Sequence, residues 1–483
     1  AFDLRLGACR AEFVRTTFPL PPVTRHYLTV SGAKGKRRVH YRRCGPENGK
    51  GPPLLMVHQS PRSSREYEAL MQIWGTHFTC IAPDTPGFGQ SDPLPMSEPG
   101  IDDFADALAE FVAALGIKHL PAYGFHSGGI ILVTALKRHP GLFTGLAIGG
   151  YAIWTPQEMA VFGDTYLPPF LPSAYGEHLT WLWNRILEQS WFFPWFDIRS
   201  EARLSVAHDD PARVNGVVRD MLDAGDAYRA GYGAVLRAPR DIPPAHAAVP
   251  PVLITAYDGD PLQAHIDRLG EMPRRWEARK VRTPKDHQDA SLAFLRALPT
   301  GNAVDLPEDR DAGFIHVQTG GFDGLIHWAG PGGGSLRLHA PGNEMQQAGP
   351  PDLVQIELPG HGLSDNWQGE PPVTWPAWQA VIEEAAGQLG ARDITYPEAE
   401  AGEAERLYPD LSPDRFGSYL TMAWAIVRAR KLFAPWYRAS AQHALDFDQG
   451  ALTPERLATD CRALLRAVAA KHYHLALRTR ERN

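Results

Sequence analysis

Short apolar runs separated by amphipathic ones organise the first 150 residues. Residues 54–58 and 78–83 are continuous apolar stretches, the pattern of strands buried on both faces, and the helix-compatible stretch 65–74 between them predicts a parallel sheet. Ahead of them, residues 26–31 and 38–43 are β-rich runs joined by a glycine and lysine turn at 32–36, a predicted hairpin. Residues 1–24, with Pro19, Pro21 and Pro22, have no period and read as an arm. Phe104, Leu108, Phe111, Val112 and Leu115 recur at helical spacing and stop at Gly116, which predicts a capped helix over 102–115. A strand (117–125), a helix (130–139) and another strand (145–148) follow.

From 151 to 245 the alternation gives way to helical segments crowded with aromatics, among them Trp154, Trp181, Trp183 and Trp191. These predict a helical subdomain, with part of the aromatic set lining an apolar pocket. The sheet resumes at 252–256, which ends in Asp258-Gly259-Asp260-Pro261; a short strand at 280–282, Asp286-His287 and a helix over 290–298 complete it. The expected organisation is a core of residues 25–150 and 246–300, a cap of 151–245, and a linker over 301–312.

Residues 313–483 repeat the first half in order. Thr85-Pro86-Gly87-Phe88-Gly89-Gln90-Ser91-Asp92 recurs as Leu358-Pro359-Gly360-His361-Gly362-Leu363-Ser364-Asp365, and His58 corresponds to His339. Gly176, Leu179, Thr180, Trp183, Pro194 and Trp195 each have an identical residue 241 positions later, from Gly417 to Trp436. Gly116 matches Gly390 at 274 positions, so the second copy lacks 33 residues in the interval that holds Ser127 in the first. The position equivalent to Ser60 is Pro341, which has no N–H to donate. A truncated, non-catalytic domain is therefore expected, covering its incomplete sheet by packing on the first domain or on a second chain.

Composition narrows the function without choosing it. At 483 residues the chain exceeds one hydrophobic core, and a net charge of -7 provides no basic surface for nucleic acid or a membrane anchor. The cysteines, Cys9, Cys44, Cys80 and Cys461, lie far apart with no Cys-x-x-Cys pair, against a disulfide framework or a zinc site. No apolar run reaches 18 residues and the first twenty lack a signal-peptide core, so a cytoplasmic protein is expected. Gly330-Pro331-Gly332-Gly333-Gly334-Ser335 lacks the lysine of a phosphate-binding loop and reads as a turn; no metal or cofactor is expected.

The candidate chemistry centres on Gly124-Phe125-His126-Ser127-Gly128-Gly129, a serine between a strand and a helix among small residues. A serine hydroxyl needs a neighbouring base, and His287, after the last strand, is the candidate; His126 competes by proximity but ranks below it. Asp260 is the candidate acid that orients the imidazole, with Asp258 as the alternative. Gly128 supplies one oxyanion N–H by position, and Gln59 or Ser60 the other, while His58 fixes that loop and, with His126, borders the pocket.

In this order of features, residues 25–300 resemble the α/β-hydrolase superfamily: hairpin, strand with a His-containing loop, Pro-Gly-x-Gly-x-Ser-Asp, serine elbow, helical cap, acid, histidine. Two departures are visible. The glycine usually found two residues before the serine is Phe125 here, with Gly124 one place earlier, and Gln59 replaces the glycine after the loop histidine. The resemblance implies an α/β fold with a mostly parallel sheet, and a serine hydrolase acting on a small, largely apolar ester, lactone or thioester. Cleavage of a carbon–carbon bond beside a ketone is the alternative within that class, and a ligand-binding protein on a hydrolase scaffold is the alternative outside it.

Overall fold

The structure, a computed structural model, describes residues 20–46, 51–163, 165–239, 242–303, 305–307, 309–345 and 353–481. Most of the expected arm, with Cys9, lies outside this set. The hairpin forms from β1 (Thr24–Gly32) and β2 (Gly35–Cys44), antiparallel, in a register that pairs Gly32 with Gly35. The apolar runs become β3 (Pro53–Val57) and β4 (Thr79–Pro83), every residue of which is buried, with α1 (Glu68–Trp74) between them. Then follow α2 (Ile101–Ala114), β5 (Leu120–Phe125), α3 (Ser127–Arg138) and β6 (Phe143–Gly149). After the cap come β7 (Val252–Tyr257), β8 (Trp276–Val281) and α8 (Pro284–Arg296).

These strands make one eight-stranded sheet in the order β1-β2-β4-β3-β5-β6-β7-β8, parallel from β4 to β8. Because β3, β5 and β7 are parallel, their carboxyl ends open on one edge, and the loops there carry His58, His126 and Asp260. The cap holds α4 (Pro156–Phe162), α5 (Glu177–Gln189), α6 (Pro211–Ala224) and α7 (Tyr228–Arg237).

The C-terminal region has its own sheet: β9 (Ala312–Thr319), β10 (Phe322–Ala329), β11 (Ser335–Leu338), β12 (Leu353–Ile356) and β13 (Ile394–Thr395). Its order is β13-β11-β12-β10-β9, and each neighbouring pair has the same sense as the corresponding pair among β5-β3-β4-β2-β1. Its helices are α9 (Trp375–Leu389), α10 (Ala404–Leu407), α11 (Ser418–Arg430), α12 (Pro454–Arg466) and α13 (Ala470–Arg480). Residues 330–334 are the turn between β10 and β11, and Ser335 begins β11.

The two regions meet face to face in a reciprocal way. A Cβ on Gly176 would come within 2.8 Å of the Trp424 indole, and one on Gly417 would run into the Trp183 indole, so α5 and α11 each receive the other's tryptophan against a glycine. Leu182, Val218 and Met221 of the cap share one buried core with Leu420, Ala423, Leu457 and Cys461. At the sheet edges, Tyr27 stacks on Phe314 at 5.8 Å, and Arg25 lies over the same ring.

Candidate active site

The elbow is built one residue earlier than the serine. His126 caps β5 and precedes α3 with φ 47° and ψ −112°, and it is the one non-glycine residue with positive φ among the described residues. That conformation is costly for any residue with a Cβ and persists where the surroundings enforce it. Here they do. Gly124, two residues before, and Gly128, two residues after, pack together: a Cβ on Gly124 would meet the Gly128 carbonyl carbon at 2.8 Å, and one on Gly128 would collide with the Val57 oxygen. The spacing glycine-x-apex-x-glycine of a strand-to-helix elbow is thus satisfied with His126 at the apex.

Ser127 is corrected accordingly. It begins α3, and its Oγ accepts a hydrogen bond from the Ser60 backbone N–H at 2.6 Å. The N–H after an elbow apex and one from the loop after β3 are the usual oxyanion donors. In this register the equivalent N–H groups are those of Ser127 and Ser60, not Gly128, and the Ser60 N–H is covered by the Ser127 hydroxyl. Gln59 is also excluded, because its N–H donates to Glu66 at 2.8 Å. His58 holds the loop, with Nε2 accepting from the Thr85 N–H at 2.9 Å and Nδ1 bonded to the Gln59 carbonyl.

His126 Nε2 lies 3.0 Å from Asp260 Oδ1. Asp260 follows β7 and is almost fully buried. Burial pushes its carboxyl pKa up, but the charge and hydrogen bond of His126, with the Leu262 N–H, outweigh this and hold it below the ordinary value. An ionised carboxylate only accepts, so Nε2 carries the proton that His126 shares with Asp260. The imidazole side chain is 21% exposed, so part of the ring is open to solvent. Asp260 Oδ2 is buried and has no hydrogen-bond partner among the described residues. Asp258, the alternative acid, is exposed and bonded to Gln263.

His287 does not meet Ser127. Only Arg282 and Thr283 separate β8 from α8, too few to carry an imidazole over the elbow, and His287 falls inside the helix instead. There it is buried, with Nε2 at 2.8 Å from the Tyr123 hydroxyl and Nδ1 at 2.5 Å from Thr255 Oγ1. Burial pulls its pKa down to about 4, so it stays neutral. Both nitrogens are occupied, which removes it from the role of base.

Of the four pocket tryptophans, Trp154 packs edge-on against His265, whose pKa is itself influenced by the charges of Asp260 and His126. The other three are corrected to structural roles. Trp183 is buried against Tyr419 and Gly417, Trp181 packs on Phe170 and Trp195, and Trp191 donates to the His208 carbonyl. Large aromatics here fill the core shared by the cap and the C-terminal helices.

Comparison with known proteins agrees with the fold. Residues 52–285 match the family model described as alpha/beta hydrolase fold. Haloalkane dehalogenase 2 of Mycobacterium tuberculosis is 30% identical over 124 residues, 26% of this chain and 42% of that protein. The 2-(acetamidomethylene)succinate hydrolase of Mesorhizobium japonicum is 34% identical over 96 residues, 20% of this chain and 34% of that protein. The chain thus spans less than half the length of these curated relatives. A thermophilic esterase from Thermogutta terrifontis superposes with a TM-score of 0.42 at 18% identity, covering 56% of this chain and 98% of that one. Residues 52–285, just under half of the chain, thus carry the α/β-hydrolase fold. Among the described residues no helix is long and apolar enough to cross a membrane, and no group of three or more His, Cys, Asp or Glu is placed to hold a metal ion.

The register was present in the sequence as Gly124 and Gly128 flanking His126 at equal distances.

Proposed function

We propose that the first domain is a hydrolase in which the His126–Asp260 dyad, rather than a serine triad, carries the chemistry. The observation behind this is the placement of an imidazole on the strained apex, 3.0 Å from a buried carboxylate. His126 Nδ1 takes a proton from water as the water oxygen attacks a carbonyl carbon. Asp260 balances the imidazolium that forms, and the imidazolium then returns its proton to the leaving oxygen, or to the leaving sulfur of a thioester. The Ser127 N–H is one donor to the oxyanion. The Ser127 hydroxyl, already accepting from Ser60, is free to donate its own proton as a second. The substrate class this suits is a small, largely apolar ester, lactone or thioester. Hydrolysis of a panel of p-nitrophenyl esters, compared between the wild type and His126→Ala, tests this.

A second reading, a ligand-binding protein on a hydrolase scaffold, draws on one observation: the Ser127 hydroxyl sits on the Ser60 N–H that would otherwise face a substrate oxygen. Turnover of any of these esters that depends on His126 rejects it.

In either case residues 313–483 are read as a truncated copy of the first domain without catalytic residues, retained as the partner surface for the cap. The matching strand order and the reciprocal glycine–tryptophan contacts support that reading.

A further inference from the structure

Two adjoining cavities, of about 420 and 300 Å³, lie between the cap and the second domain, and both are lined by Arg219, Asp223, Arg466 and Val468. Five arginines face the smaller one, and four of them have carboxylate partners. Arg25 pairs with Asp365, Arg42 with Glu68, Arg65 with Asp220 and Arg466 with Asp223. The Arg219 guanidinium, on α6 where the two cavities join, makes no hydrogen bond or ion pair with any described residue. The nearby carboxylates are already committed: Asp220 accepts from Arg62, Ser63 and Arg65, and Asp223 from Gln90 and Arg466. Burial, together with the charges of Arg65 and Arg466, pulls the Arg219 pKa down to about 10. A partly desolvated guanidinium among like charges is costly unless an anion meets it.

The larger cavity has the remaining features of a small-molecule site. Arg462 and Lys471 add positive charge, and the buried Nε of Arg462 has no partner. Its acidic members, Asp223 and Asp410, are held by Arg466 and by Ser412. Its walls are apolar, formed by Leu222, Leu411, Leu420, Leu464 and the ring of Tyr408. A volume near 420 Å³ falls in the range of ligand pockets. We propose that this crevice binds a small carboxylate with an apolar body, its carboxylate on Arg219 and its hydrocarbon against the leucines. Asp220, next to Arg219, anchors Ser63 and Arg65 just beyond the Ser60 loop, so the occupant sits one residue from the support of that loop.

Titration calorimetry of the full chain with octanoate, and with octan-1-ol as the neutral control, tests the proposal. The wild type should bind octanoate saturably, more weakly as salt rises, and octan-1-ol far less well. Arg219→Gln should weaken octanoate binding about tenfold or more, as expected for loss of a charge-assisted contact. His126→Ala should bind as the wild type does. Should Arg219→Gln not fold, Lys471→Glu at the rim should weaken binding severalfold. No saturable binding, equal binding of octanoate and octan-1-ol, unchanged binding in the folded Arg219 variant, or loss of binding in His126→Ala would each overturn it.

Discussion

The Nε2 atom of His126 and the Oδ1 atom of Asp260 are 3.0 Å apart, across the gap between the ends of β5 and β7. In a serine triad an acid orients a histidine and the histidine activates a serine at the elbow. Here the acid bonds an imidazole that itself occupies the elbow, and in the proposed mechanism these two residues do the work of three.

Asp260→Asn keeps the shape of the dyad but removes the charge that balances an imidazolium. Turnover of any ester the wild type hydrolyses is expected to fall by about 100-fold or more. Asp258→Asn, on an exposed side chain, should stay within about twofold, as surface substitutions away from such features usually do. Steady-state rates of the two variants side by side check this.

His287 is expected to matter for stability rather than turnover. His287→Leu would leave the Tyr123 and Thr255 hydroxyls buried without that partner, at a cost of about 2–4 kcal/mol. Urea unfolding should show the loss, while the folded fraction keeps its activity.

Burial holds His178, His265 and His287 near a pKa of 4 in the folded chain, below the ordinary 6.5. The unfolded chain binds more protons between those values, so stability is complete above about pH 6.5 and declines as pH falls toward 4. For a fully shielded histidine, each tenfold difference in proton affinity between the folded and unfolded chain is worth about 1.4 kcal/mol, and less where solvent reaches the ring. Urea midpoints at stepwise pH, with His287→Leu showing a shallower decline than the wild type, check the sign.

Much of this fold was legible in the sequence because buried parallel strands leave continuous apolar runs. Residues 54–58 and 78–83 fell within a residue of β3 and β4. The Pro-Gly-x-Gly segment and its copy at residues 359–362 marked matching turns, in which Asp84 and Glu357 crowd Gly89 and Gly362. The site was legible only in part. Asp260 could be found from its place after β7, but spacing alone does not tell which of two adjacent residues, His126 or Ser127, takes the positive φ of the elbow. That is decided by the contact of Gly128 with the Val57 carbonyl, a meeting of segments 71 residues apart. Likewise, the two-residue connection between β8 and α8 was hidden, because the helix begins six residues before residue 290, where the pattern predicts it.

The reciprocal contact of α5 and α11 leaves no room for a larger residue at Gly417. Gly417→Val places a branched side chain into the Trp183 indole on a backbone with φ +68°, and should cost about 2–4 kcal/mol. Removing residues 313–483 should expose the cap leucines and give an insoluble or inactive first domain, since the two share one core. Sedimentation and melting of both variants against the full chain check the interdependence.

The most direct test separates the two adjacent residues. On an ester panel, His126→Ala should lose turnover by about 100-fold or more, whereas Ser127→Ala should stay within about tenfold, because the Ser60 N–H is then uncovered to face the oxyanion. A dead Ser127→Ala beside an active His126→Ala, or covalent labelling of Ser127 by a fluorophosphonate, would contradict the account.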